Sequence, residues 1–405
     1  MSQIKIYIAP FNNEGIYQDF IDITEDVDRS IGSITRKFDN SEFDLGTLRS
    51  SDISLKLRNE HGHYSDVDGV TTIFKYKRSG SKIKITWQIE NDIVECGIAI
   101  CGSSLLSEEI TMFEGLLNDE TTKEGLSDRT VNFTALSYES VFDGVVVDIA
   151  TFDNADTIEE VLYKILNVTA VTNLLTVSAS NISIDSNVAI DDKEDFENGN
   201  LNDVLKSLLT VGNSVLYIDN SIIYITPRTA SATLKKTFYG QASDLGIEDV
   251  SSLGKISSGL NRTVNFASWD KYSTTQSDAS SVSKYGAKTK EFNYAFITNN
   301  TSKDTILSAI VDEFKTPKKE LTLTANINYE TLALGMLDKI NIDYPTPLFV
   351  ASGDVFPLYG VAVYGVDSYP FAEYSTVLTP DIYFKIIGIK TNLNNDTIEF
   401  KIRSI

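Results

Sequence analysis

What this chain lacks removes much of protein chemistry from consideration. Its 405 residues include two His, two Cys, three Met, two Trp and eight Pro. His61 and His63 share one turn-like stretch, NEHGHYSDVDG, so a metal motif that needs His pairs at helical spacing cannot be built. Cys96 and Cys101 fall in one short apolar run, ECGIAIC, and read as small core residues rather than a disulfide framework. No G-x-S-x-G elbow and no G-x-G-x-x-G is present, and the nearest approach to a phosphate-binding loop, Gly254-Lys255, continues into Ile256 with Asp249 where the first glycine should stand. Nucleotide chemistry therefore has no support. No apolar run reaches the ~20 residues that cross a bilayer: Ile165 to Ile184 is studded with Thr, Ser and Asn, and Val355 to Val366 is far shorter. The amino terminus, MSQIKIYIAPFNNEG, lacks the basic start and cleavage site of a secretion signal and reads as a first strand.

Positive charge is also scarce. Against 57 Asp and Glu stand 35 Lys and Arg, a formal charge of −22. Such a chain is not built to grip a phosphate backbone, although an acidic wall would let nucleic acid slide past; simple solubility is the plainer reading. With 42% hydrophobic and 23% charged residues the composition is that of a globular protein, long enough for about two or three domains.

What is present is alternation. Ile4, Ile6 and Ile8; Ile53, Leu55 and Leu57; Ile83, Ile85, Trp87 and Ile89; Val131, Phe133 and Ala135; Leu321, Leu323, Ala325 and Ile327; and Ile398, Phe400 and Ile402 recur with period two. Polar residues fill the alternate positions, so these strands have one wet face, as in antiparallel barrels or sandwiches. Helical spacing marks three segments. One follows Asp156, an expected N-cap with Glu159 completing a capping box, through Ile158, Val161, Leu162, Ile165 and Leu166. The second runs from Leu201, capped by Asn200, to a stop at Gly212; the third uses Ile306, Leu307, Ile310, Val311 and Phe314, starting at Thr301 or Ser302 and ending before Pro317.

The expected organisation is mainly β (α+β): a first β-barrel domain over 1–145, a small α/β domain over 146–232 with two helices and the hairpin VLYIDNSIIYITPR, and a second β-barrel domain over 233–405 with one helix. Two long loops are expected in the last, the Ser-rich 268–290 and the aromatic 345–380. The aromatic loop concentrates Phe349, Phe356, Tyr359, Tyr364, Tyr369, Phe371 and Tyr374. It either folds back over its own barrel or offers a contact surface to another chain. The acidic loops DVDGV and DFENGN fail as EF-hands: aligning Gly69 puts Tyr64 first and Lys75 last, and aligning Gly199 puts Phe196 third and Leu205 last. No local pattern singles out a carboxylate pair for glycoside cleavage. No catalytic, cofactor-binding or metal-binding residue is expected, and no cofactor.

Several segments, taken in order, resemble the tail hub (baseplate hub) proteins of tailed bacteriophages and related contractile injection machines. DITEDVDRSIGSITRKFDNSEFDLGTLRSSDISLKLRNEHGHYSD looks like that family's first barrel, and FEGLLND with RTVNFTALSYESVFD like the paired strands that close it. TIEEVLYKIL, LNDVLKSLLTVGN and SVLYIDNSIIYITPR look like its small middle domain; GLNRTVNF, LALGMLDKINIDYP and FKIIGIKTNLNNDTIEFKIRSI resemble parts of its second barrel. The resemblance implies a non-enzymatic structural virion protein with two tail-tube-like barrels, assembled in the host cytoplasm. It implies a homotrimer that joins a six-fold tail tube or distal tail protein on one side to a central tip, spike or fibre protein on the other, with DNA only in transit and no membrane span. The alternatives are a receptor- or carbohydrate-binding tail protein, with Tyr359 and Tyr364 stacking on sugars, and a glycosidase or peptidoglycan hydrolase that uses unpatterned carboxylates.

Overall fold

A computed structural model describes the chain apart from residues 1, 28–31, 41–42, 66–71, 90–108, 126–128, 230, 232, 240–249, 255–256, 258–259, 271–272 and 344–382. The first part of the chain forms β1 (Ser2–Ala9), β2 (Ile21–Asp22), β3 (Ser33–Asn40), β4 (Leu45–Ser50), β5 (Ile53–Arg58), β6 (Lys82–Ile89), β7 (Glu109–Gly125) and β8 (Thr130–Ser137). Next come α1 (Ile158–Leu166), α2 (Thr169–Thr172), α3 (Leu201–Val211), β9 (Ser214–Asp219), β10 (Ile222–Pro227), β11 (Leu234–Tyr239) and β12 (Val250–Leu253). The remainder carries β13 (Phe266–Trp269), β14 (Thr274–Ser277), α4 (Ala279–Tyr285), β15 (Thr289–Phe292), α5 (Asn300–Phe314), β16 (Glu320–Asn326), α6 (Tyr329–Leu332), β17 (Lys339–Asp343), β18 (Tyr383–Asn392) and β19 (Thr397–Ser404). The class is mainly β with a few helices, as the alternation requires.

The chain divides into two compact units. One holds Met1–Arg228, Arg262–Thr316 and Lys390–Thr397; the other holds Thr229–Asn261, Pro317–Ile389 and Ile398–Ile405. In the first, a sheet of order β2-β1-β6-β7-β8-β5 turns Ile6, Ile8, Leu55, Leu57, Ile83, Ile85, Val131 and Phe133 into the core. The segment after β2 links both sheet edges. Ile23 N–H donates to the Ile6 carbonyl at 2.9 Å, Ile6 N–H donates to Thr24 Oγ1 at 2.9 Å, and Val27 bridges Leu57 on β5. Within this sheet β7 and β8 approach so closely that a Cβ at Gly115 would lie 2.2 Å from the Leu136 carbonyl oxygen.

The same unit carries the helices. α1 buries Ile158, Val161, Leu162, Ile165 and Leu166, side chains each worth roughly 1.5–3 kcal/mol when removed from water. Its cap is Thr157, not Asp156: Thr157 and Glu160 form the capping box, while Asp156 accepts from Lys164 Nζ at 2.6 Å. Both Asp156-x-x-Glu159 and Thr157-x-x-Glu160 have the required spacing, and the position of the apolar stripe chooses between them. α3 is capped by Asn200 and ends at Gly212. α5 is capped by Asn299, whose Oδ1 accepts from the N–H groups of Thr301 and Ser302, the residues expected at its start. β9 and β10 form the expected hairpin through Asn220 and Ser221, both at positive φ as a two-residue hairpin turn demands, with Tyr217 stacked on Tyr224 at 5.2 Å.

The Ser-rich stretch is not a loop. It contributes to β13 and β15 and contains β14 and α4, and the three strands pair in the order β14-β13-β15. Its polar groups are bonded to the buried Asn265 just before it: Asn265 Nδ2 donates to the Gly286 carbonyl at 2.9 Å and to Ser281 Oγ at 3.1 Å, and Asn265 Oδ1 accepts from Lys288 N–H at 2.7 Å. At the end of β10 the buried Arg228 ties distant segments of this unit. Nε donates to the Phe43 carbonyl at 2.5 Å, the guanidinium meets Glu313 at 3.0 Å and Asp44 at 3.6 Å, and its carbon lies 4.4 Å from the Phe314 ring centre.

In the second unit the strands pair in the order β11-β17-β18-β19-β16-β12. Its core takes Leu321, Leu323 and Ala325 from β16, Ile398, Phe400 and Ile402 from β19, and Phe238, Ile340 and Phe384 from the neighbouring strands. Arg403 and Glu320, both buried, pair at 2.6 Å on adjacent strands.

Candidate functional site

Two surfaces and one buried layer of the first unit stand out. The first surface is the connection between β1 and β2. Asn12 Oδ1 accepts from the N–H groups of Glu14 and Ile16, both at 2.9 Å, and Gly15 at φ +76° completes the turn. Tyr17 then stacks on Phe11 at 4.4 Å and donates its hydroxyl to the Gly80 carbonyl at 2.9 Å, while Tyr76 lies edge-on to Phe11 at 6.3 Å, its ring against Gly15. The rigid result holds Ile16 and Tyr76 in water, 60% and 55% exposed. Cations surround them. Lys77 Nζ sits 4.7 Å from the Phe11 ring centre and Lys82 Nζ 4.6 Å from that of Tyr17.

The second surface is acidic. Between residues 143 and 203 there are 13 carboxylates and two lysines, a net −11 that is half the charge of the whole chain. Asp148, Asp153, Glu160, Asp185, Glu194, Asp195, Glu197 and Asp203 are exposed, and Val146 beside them is 63% exposed. Some acids of this segment hold the fold together instead: Asp191 Oδ2 accepts from the N–H groups of Thr298 and Asn299 at 2.6 and 2.8 Å, and Asp192 caps the short helical turn Lys193–Phe196.

The buried layer lies around Glu139, in the helical turn Tyr138–Gly144 that follows β8. Burial pushes the Glu139 carboxyl up to about 7, against the downward pull of its own N–H, the Ser137 hydroxyl, Arg36 and Arg49. Burial likewise raises Glu114, which accepts from Ser221 N–H at 3.1 Å, and raises Asp39 against the pull of Arg49. Arg36 donates to the Met112 carbonyl at 2.8 Å, and Arg49 forms a two-point pair with Asp143 at 3.0 and 3.2 Å. A carboxyl held near neutrality meets one requirement of acid–base catalysis, but structural ion-pair layers perturb carboxyls in the same way, and both arginines here are committed to the protein's own backbone or carboxylates.

Phe349, Phe356, Tyr359, Tyr364, Tyr369, Phe371 and Tyr374 all lie outside the described residues, as do Cys96, Cys101 and DVDGV. His61 and His63 lie in a turn region after β5, and no cluster of three or more metal-binding side chains occurs among the described residues. Nor is any described helix long and apolar enough to cross a membrane. Composition pointed to the aromatic loop and passed over Ile16 and Tyr76. The available signal was an isolated apolar residue directly after the turn sequence Asn-Asn-Glu-Gly.

No family model matches the chain, and no curated protein matches it. Solved structures do. The prophage MuSo2 43 kDa tail protein from Shewanella oneidensis is similar over 100% of this chain and 98% of its own, at 9% identity and a TM-score of 0.51. A tail protein from Neisseria meningitidis MC58 is similar over 100% of this chain and 96% of its own, at 6% identity and a TM-score of 0.54. The E. coli c3393 protein, a component of the type VI secretion system, is matched over 94% of this chain and 73% of its own, with a TM-score of only 0.43. At these identities the likeness is one of fold. The chain has the fold of phage tail proteins.

Proposed function

We propose that the chain is a structural component of a phage-type tail: a hub that assembles as a homotrimer in the host cytoplasm and joins the tail tube to the tip in the virion. The observation that carries this reading is the fold shared with two tail proteins over essentially their whole lengths. The division into two β-rich units supports it, because three chains with two such units each would offer six modules to a six-fold tube. On this reading the three-part division at residues 145 and 232 describes two barrels around a small α/β module. Partners are a tube or distal tail protein on one side and a tip, spike or fibre protein on the other, and the overall charge of −22 helps keep passing DNA from sticking. The protein performs no chemistry in this role. Native mass across a concentration series, alone and with purified tail-tube protein, tests the proposal. A trimer that binds the tube is expected, and a chain that neither self-associates nor binds tail components would overturn it.

A further inference from the structure

The apolar ridge on the β1–β2 connection is built to stay exposed. Its turn is closed by the Asn12 side chain and by Asn12 N–H donating to the Ile16 carbonyl at 2.8 Å, the Phe11–Tyr17 stack anchors it to the sheet and keeps Ile16 in water, and Tyr76, from the connection between β5 and β6, packs its ring against Gly15 and edge-on to Phe11. A fixed, water-facing aliphatic and aromatic pair is the composition of an interface anchor. Its surroundings are unusual for so acidic a chain: Lys75 and Lys77 are exposed on either side of Tyr76, and Lys82 is half-buried against Tyr17. Glu14 and Asp19 lie on the same connection, and Asp22 at the end of β2 is 3.4 Å from Lys5. The matching chemistry is an acidic surface with an exposed aliphatic group, and this chain carries one in the segment 143–203, where Val146 stands among exposed carboxylates.

We infer that the ridge of Ile16 and Tyr76, with its lysines, docks the acidic 143–203 segment of a second copy of this chain. The inference rests on the self-assembling tail reading and assigns it a contact. Chains of charge −22 repel one another at long range, so association needs a geometry that brings the basic ridge of one copy to the acidic face of the next. Ridge and acidic segment are carried by different elements, so the contact is head-to-tail, the type that closes rings.

Sedimentation velocity across a concentration series is the test, on the full chain and on Tyr76→Ala, the double variant Lys75→Glu with Lys77→Glu, the double variant Glu194→Lys with Asp195→Lys, and the two doubles combined. All the altered side chains are exposed, and circular dichroism melts establish that each variant folds. The expected results are association that weakens as salt rises from about 0.05 M to 0.5 M, a loss of about thirtyfold for Tyr76→Ala, weakening in each charge-reversed double, and recovery when the two are combined. Unaltered association in all these variants would overturn the assigned contact while leaving the tail reading in place. A wild-type chain that is monomeric under every condition would also overturn it, and binding of that monomer to tail-tube protein would then decide the tail reading separately.

Discussion

Replacing Glu139 with Gln should change how stability depends on pH. The carboxyl titrates near 7 in the folded chain against an ordinary value of 4.5. Between those values the folded state holds a proton that the unfolded state has released, so stability from this group is fully present below about 4.5 and is lost as pH rises to 7. A gap of about 2.5 pKa units at 1.36 kcal/mol per unit corresponds to roughly 3 kcal/mol. Glutamine keeps the shape and cannot ionise, so Glu139→Gln should match the wild type near pH 4 and exceed it by up to about 3 kcal/mol at pH 8. Glu114 and Asp39, which are also raised, will leave a residual slope of the same sign in both proteins. Urea denaturation from pH 4 to pH 8 measures the difference directly. A wild-type-minus-variant difference that stays constant with pH would refute the reasoning, because it would mean that the buried carboxyl does not change protonation on unfolding.

Arg228→Met should destabilise the first unit by roughly 3–5 kcal/mol, since the buried Asp44 carboxylate would lose a cationic neighbour in its ion cluster; chemical denaturation of the variant checks it. Thr157→Ala removes the cap of α1 and should cost about 1 kcal/mol, whereas Asp156→Ala, which loses a pair with Lys164 and an N–H from Asp153, should cost less; paired thermal melts test the order. Gly115→Ala forces a methyl against the Leu136 carbonyl and should destabilise by at least the roughly 1–3 kcal/mol of overpacking, with amide exchange speeding up in β7 and β8.

Much of the fold was legible in one dimension. The period-two runs became β1, β5, β6, β8, β16 and β19 because a sheet with one wet face requires that pattern, and the three apolar stripes became α1, α3 and α5 because a helix packed on a core requires the other. Cap positions slipped at α1, where Asp156 and Thr157 satisfy the same spacing rule, and at α5, where Asn299, Thr301 and Ser302 are all cap-forming residue types, and packing selects one. The stretch 268–290 misled because Ser and Thr signal loops when their partners are unknown; here Ser281 is buried and bonded to the buried Asn265 just before the stretch.

The amino-acid sequence by itself determined the class of structure, the charge of −22 and the poverty of metal-binding and nucleotide-binding chemistry, because each depends on composition and short-range periodicity alone. Tertiary structure decided the rest. Exposure of Ile16 and Tyr76, the pairing of Arg228 with Asp44 and Glu313, and the burial that raises the Glu139 carboxyl depend on which distant segments meet, and those meetings are set by strand order and packing that local patterns do not encode.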